Sequence, residues 1–395
     1  MPAVHFDIYD EVLRHDVLSD ADLARCCLVS KDFATAAHRS LYGELELSFA
    51  TNVDENLDTL FQQWRPASLK RYEATRPPHL ARLVQSLVVS SGLADEQGTP
   101  HVAVENIVED TLAICVNVKT VSLGQENRQA VLPVLASSRQ HYRHLRRLPL
   151  CDTLWPVLKQ QKDLIHLEVD LLSDTLALAE LDRSLAGTFA SPFRLRTLSI
   201  DSLFDRLPQS VFGALIKGSL TTLTRLHMPY DPNLLRAYKI FPNLRELSLT
   251  IHHTEVPEST LSGKEAAGQM AITIMLLPPS LESFSLSSMS TNLWGMFAYP
   301  TIVELLPAKL KRLELAGKPT VADVEPLFAC EKRPPIEVLG YSLLIEEQDD
   351  FGRLVGQEPV EVREKLAERG VKLVEARWGA IKSALDSTAW RFPVV

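Results

Sequence analysis

Residues 242–250 read PNLRELSLT and residues 308–317 read AKLKRLELAG. Both carry one pattern: an apolar residue, a second three positions on, and a third two further. The first stretch gives Leu244, Leu247 and Leu249; the second gives Leu310, Leu313 and Leu315. The spacing recurs at Leu145/Leu148/Leu150, Leu164/Leu167/Val169, Leu195/Leu198/Ile200 and Leu223/Leu226/Met228. Looser copies stand at Val84/Leu87/Val89, Val118/Val121/Leu123, Leu281/Phe284/Leu286 and Ile336/Leu339/Tyr341. The step runs from 19 residues (145 to 164) to 37 (244 to 281), a ragged period. Repetition on this scale is the mark of a solenoid. Within each copy the last two apolar residues alternate with polar ones, as in a strand that buries one face.

Segments between the copies have helical spacing. Val104–Val116, Thr175–Leu185 and Gln209–Ile216 each carry apolar residues three or four apart. A strand followed by a helix must return to a parallel neighbour by a right-handed crossover. The expectation is an α/β array of βα units, strands stacked edge to edge. After residue 341 the pattern fades. Leu343–Gly356 and Val360–Gly370 read as helices, with Gly370 as a C-terminal cap, and Val371–Val374 as a last strand. Trp378, Ile381, Leu385 and Trp390 have the spacing of a closing helix.

Residues 6–49 are different: FDIYDEVLRHDVLSDADLARCCLVSKDFATAAHRSLYGELELSF. Ser19 or Asp20 caps a helix with Leu23, Cys26 and Cys27 on one face; a second starts near Ser30 and carries Phe33, Ala36 and Ala37. An earlier short helix holds Ile8, Val12 and Leu13. Helices this short do not stand alone in water, so they pack together or on a partner. Their apolar residues exceed what so small a bundle hides.

This segment resembles an F-box. Ile8 and Glu11-Val12-Leu13 match the opening, Asp22-Leu23 the middle, and Leu28-Val29-Ser30-Lys31 with Phe33 the closing signature; Leu41-Tyr42 resembles the aromatic end of fungal-type members. Tyr9 stands where the family usually has proline. The repeats behind it resemble irregular leucine-rich repeats, a horseshoe with strands inside and helices outside. The family's turn asparagine or cysteine is missing: the corresponding positions include Gly92, Asp231, Met289 and Lys318. The turns must satisfy their backbone by other means.

The resemblance implies four segments: a helical F-box domain at 1–49, a linker at 50–79, a leucine-rich-repeat solenoid at 80–375 and a capping segment at 376–395. It also implies a non-catalytic substrate-recognition subunit of a cullin–RING ubiquitin ligase of the SCF type. A Skp-type adaptor would dock on Ile8, Val12, Leu13, Leu28, Val29, Lys31 and Phe33. A target protein would meet the polar strand face, through His166, Glu168, Asp170, Asp201, Arg225, His227 and Glu246. The alternative is a ubiquitin-independent leucine-rich-repeat interaction scaffold, its front helices only a cap.

Composition narrows the classes. Net charge is -9, which argues against nucleic acid or an anionic membrane surface as main partner. The 5 cysteines are odd in number and form no C-x-x-C, which suits a reducing compartment, cytoplasmic or nuclear. No apolar run is long enough for a bilayer. No catalytic constellation or cofactor motif stands out. Gly317-Lys318-Pro319-Thr320 lacks the glycine of a phosphate loop, and the His141/His144 pair has Arg143, Arg146 and Arg147 as neighbours, which would repel a metal ion. No cofactor and no metal are expected.

Overall fold

The computed structural model describes residues 20–54, 59–93, 103–124, 128–171, 191–202, 207–231, 234–251, 271–288, 292–295, 300–330, 333–342 and 359–375. Two compact units divide within one strand, the first up to Glu168 and the second from Val169 on.

The first unit opens with α1 (Asp20–Cys26) and α2 (Lys31–Tyr42). Ser30 adopts extended backbone and its hydroxyl accepts a hydrogen bond from the Phe33 N–H at 3.2 Å, a side-chain N-cap for α2. Leu23 of α1 packs on Ala36 and Ala37 of α2, with Cys26, Cys27, Phe33 and Leu41 around them. The two alanines let the helix backbones approach closely.

A sheet follows at once. Strand β1 (Glu44–Asp54) alternates buried Leu45, Leu47 and Phe49 with Glu44, Glu46 and Ser48. Its later half pairs antiparallel with β2 (Thr59–Trp64), and β1 pairs parallel with β3 (Ser86–Leu93). Two short helices intervene, α3 (Pro66–Thr75) and α4 (Pro78–Ala81), each with proline in its first turn, where its missing N–H costs nothing. Then β4 (Thr120–Leu123), β5 (His144–Pro149) and the start of β6 (His166–Leu171) alternate with α5 (Val104–Ile114), α6 (Arg128–Ser137) and α7 (Leu154–Gln160). Register sets Leu45, Leu87, Val121 and Leu145 in one continuous buried row.

The second unit repeats the scheme. It holds β7 (Thr197–Ser202), α8 (Gln209–Ile216), β8 (Arg225–Pro229), α9 (Leu235–Tyr238), β9 (Glu246–Ile251) and β10 (Ser283–Ser288). After these come α10 (Pro300–Leu305), β11 (Arg312–Ala316), α11 (Val321–Ala329), β12 (Val338–Ser342), α12 (Val360–Ala367) and β13 (Lys372–Glu375). Leu198, Leu226, Leu247, Phe284, Leu313, Leu339 and Leu373 stand opposite one another in register, all buried. Met228, Leu249, Leu286, Leu315 and Tyr341 form the next row. Truncating one such leucine to alanine costs about 2–5 kcal/mol. The chain is thus an α/β protein of 12 parallel strands alternating with helices, an unclosed sheet of the βα-solenoid kind.

Turn backbone is satisfied piecemeal, by amides and hydroxyls placed one at a time. Asn117 donates to the Arg82 carbonyl and Asn243 to that of Thr221, each at 2.7 Å. Gln160 donates to Ala136 O, Thr222 to Leu195 O and Ser280 to Leu244 O. Buried Gln161 and Ser219 accept from the N–H groups of Tyr142 and Leu195. These bonds lie ahead of the first apolar residue of the copies, where the chain enters each strand, and not at the later turn position where the family places its asparagine.

Two expectations need correction. The sheet begins at Glu44, so the stretch read as the end of a helical domain and a connector carries strands β1 and β2. Tyr42/Leu45/Leu47 has the repeat spacing, hidden by an aromatic residue in first place. The copy read as Leu145/Leu148/Leu150 has a different frame. Leu145 pairs with Val121, the second residue of its own copy, so buried Tyr142 takes the first position and the step to Leu164 becomes 22 residues (142 to 164). Exposed Arg146 and Arg147 stand side by side before Leu148 turns inward, one residue more than neighbouring strands have there. Arg147 takes φ 56°, alone among the described non-glycine residues in the left-handed region.

Other readings hold. Helix α8 spans the predicted 209–216. Gly370, at φ 71°, ends the turn after α12: its N–H bonds to Ala367 O and that of Val371 to Leu366 O, both at 3.0 Å. The predicted helices at 175–185 and 343–356 and the closing residues Trp378, Ile381, Leu385 and Trp390 lie outside the described residues.

Candidate functional site

At the front, α1 ends and the chain turns before Ser30 caps α2. The turn closes through Leu28 N–H to Arg25 O at 3.0 Å and Val29 N–H to Cys26 O at 3.1 Å. Its backbone is therefore satisfied while its side chains are left out. Leu28 is 87% exposed and Val29 67%. Lys31 is exposed beside them. Phe33, also expected at a docking surface, is half-buried against the Leu23, Ala36 and Ala37 cluster, where it holds the two helices together. Ile8, Val12 and Leu13 lie outside the described residues. Burial pushes the Cys27 thiol up, the Cys26 thiol adding to it, and its Sγ–H donates to Leu23 O. That is packing, not thiolate chemistry.

The polar strand face divides into pairs. In the first unit Glu168 lies 3.9 Å from Arg147 and 4.0 Å from His166. His166 stacks edge-on to His144, centroids 6.1 Å apart, and His144 Nδ1 shares a hydrogen bond with the Thr120 hydroxyl at 3.0 Å. Burial pushes the His144 pKa down, and His166, Arg146 and Arg143 push it the same way. His141, the other half of the metal-like spacing, hydrogen-bonds to Gln160 O.

In the second unit His227 Nε2 lies 3.2 Å from Asp201 Oδ1. Arg225, opposite Glu246 in register, reaches it at 3.9 Å. Asp170 is half-buried on β6. Further on, Arg312 pairs with Glu314, and the Ser287 hydroxyl donates to Thr250 at 2.9 Å. The expected face residues are therefore met as the pairs His166–Glu168, Asp201–His227 and Arg225–Glu246. The first two are half-buried; Arg225–Glu246 is exposed, and a pair of that kind contributes about 0–1 kcal/mol.

Thr320, the last residue of the loop-like Gly317-Lys318-Pro319-Thr320, serves as a helix cap. Its hydroxyl accepts from Asp323 N–H while the Asp323 carboxylate accepts from Thr320 N–H at 2.8 Å, a capping box on α11. Among the described residues no three His, Cys, Asp or Glu side chains gather as metal ligands, and no helix is long and apolar enough to cross a membrane.

Residues that join the front helices to the sheet escaped the sequence reading. The Ser68 hydroxyl donates to Glu46 O and accepts from Ser48 N–H, both at 2.8 Å, on the edge of β1 that β2 does not reach. Arg71 donates to Leu41 O near the C-terminus of α2, where a cation is favoured. The only signal was a serine and an arginine three residues apart on an otherwise ordinary helix.

No protein-family model matches the chain, and no curated protein matches it. The fold itself defines a βα-repeat protein, consistent with leucine-rich-repeat architecture.

Proposed function

We propose that this chain is a non-catalytic substrate-recognition subunit of an SCF-type cullin–RING ubiquitin ligase. Its front helices dock on a Skp-type adaptor in the manner of an F-box, and the polar strand face of its leucine-rich repeats holds the target protein. The complex acts in the cytoplasm or nucleus, and transfer chemistry belongs to the other subunits. The observation that carries this reading is the pair Leu28 and Val29, two adjacent large aliphatic side chains exposed on a turn whose backbone is already satisfied. Burying one such side chain is worth about 1.5–3 kcal/mol. Supporting it are the flanking residues Ser30, Lys31 and Phe33, which match the family signature.

Titration of the purified full chain with a recombinant Skp-type adaptor tests the proposal. The wild type should bind saturably. Val29→Asp replaces the lost apolar contact with a charge that must be desolvated, so affinity should fall at least roughly tenfold. The circular dichroism melt should change little, because Val29 is 67% exposed. Absence of binding by the wild type, or equal binding by Val29→Asp, would reject this docking surface.

A further inference from the structure

Phe328, on the last turn of α11, has two arginines over its ring. The Arg333 guanidinium lies 5.3 Å from the ring centroid and that of Arg369 5.2 Å. Both arginines are exposed, and among the described residues neither guanidinium has a carboxylate or hydrogen-bond partner. Glu337 and Glu368 form no ion pair with them among the described residues, Glu325 is taken by Lys365 at 3.2 Å, and Glu331, two residues before Arg333, lies outside the described residues. Pro334 and Pro335 follow Arg333, so the backbone beyond it is stiff. Gly370 follows Arg369 in the left-handed turn that closes α12, which fixes that arginine too. The two guanidiniums, Phe328, both prolines and Val371 line one recess of about 60 Å³.

Stacking on an aromatic face accounts for one guanidinium. Two like charges drawn to one ring, with no acid paired to either among the described residues, repel each other, and a bound anion would relieve that repulsion. Guanidinium forks match the planar or tetrahedral oxygens of carboxylate and phosphate. The recess is far smaller than the roughly 300–1,000 Å³ of a cofactor pocket, so it suits one small group. We propose that this recess is an anion site, which takes a single carboxylate or phosphate borne on an apolar group. The oxyanion sits between Arg333 and Arg369, and the apolar part lies against Phe328 and the prolines. The site does not depend on what the front helices bind.

Phenyl phosphate, benzoate and neutral benzyl alcohol are the probes. Phenylglyoxal modification of the wild-type chain, read by mass spectrometry, should slow at Arg333 and Arg369 when either anion is present; the stronger protector identifies the preferred oxyanion. Calorimetric titration should show affinity for that anion falling roughly tenfold for each of Arg333→Gln and Arg369→Gln, as loss of a charge-assisted hydrogen bond predicts. If a variant unfolds, the wild-type protection decides alone. Unchanged modification rates with both anions, or equal protection by benzyl alcohol, would overturn the assignment.

Discussion

Glu314 lies across Gly340: a methyl group built on Gly340 would stand 2.5 Å from Glu314 Cγ. The two residues face each other in register on β11 and β12, and Arg312 holds the carboxylate. Glu314 is only 13% exposed, so it has little room to yield. Gly340→Ala should therefore destabilise the chain by about 1–3 kcal/mol as overpacking. With Glu314→Ala added the 2.5 Å contact goes and only the tight 3.1 Å approach to the remaining Cβ stays, so most of the cost should be recovered. Urea melts of the two single variants and the double form a cycle with a positive coupling. A coupling within about 0.5 kcal/mol of zero would show that the two side chains do not meet.

Ser68 should be worth more than a surface serine. Its hydroxyl closes the edge of β1 at two backbone groups, and it is itself buried. Ser68→Ala leaves Ser48 N–H and Glu46 O without that partner and should cost about 1–3 kcal/mol in urea melts. Ser68→Thr keeps the hydroxyl and should cost less. Equal stability of all three proteins would mean that the edge finds water instead.

His144 gives acid sensitivity. Burial, then His166, Arg146 and Arg143, hold its pKa below the ordinary histidine value. The unfolded chain, with a pKa of about 6.5, takes up the proton first. Its contribution to stability is complete above that pH and is lost as pH falls from it through the lower folded-state pKa. Denaturant midpoints measured from pH 7.5 to 5 should fall toward the acid end. His144→Gln should flatten that slope, and an unaltered slope would assign the sensitivity to other groups.

Much of the fold was legible because its unit is local. Leu-x-x-Leu-x-Leu places an apolar residue, a turn and two inward positions within six residues, and that was enough to find strands β3, β4 and β6 to β12. Gly370 could be read as a cap, and Ser30 as the start of a helix, for the same reason. Tyr42 and Tyr142 hid two copies because an aromatic ring with a hydroxyl filled a position that aliphatic residues fill elsewhere. For Tyr142 the hydroxyl has a partner in Ser138. Strand β2 was illegible because its antiparallel pairing follows no repeat. The pair Leu28 and Val29, proposed to dock an adaptor, was nominated by resemblance to a signature, and its exposure is a property only the structure supplies. Face pairs such as Asp201–His227 join residues 26 apart in sequence, and register alone brings them together. Phe328, Arg333 and Arg369 come from two segments, and no spacing announces their meeting.

Arg147 sits where β5 has one residue too many, in a backbone conformation that costs an L-amino acid about 1–2 kcal/mol. Its ion pair with Glu168 is long at 3.9 Å, and the arginine side chain is half exposed, so little offsets that cost. Glycine relieves the conformation, whereas a β-branched residue worsens it. Arg147→Gly should thus be at least as stable as wild type, and Arg147→Val less stable by about 1–3 kcal/mol. Arg146, next to it at ordinary strand geometry, supplies the control. There valine should be preferred to glycine, because strands favour β-branched side chains by up to about 1 kcal/mol. The test is the reversal of order between the two positions in paired urea melts. If valine is preferred at both, Arg147 has no left-handed requirement, the extra residue is accommodated elsewhere in the strand, and the frame assigned to this repeat is wrong.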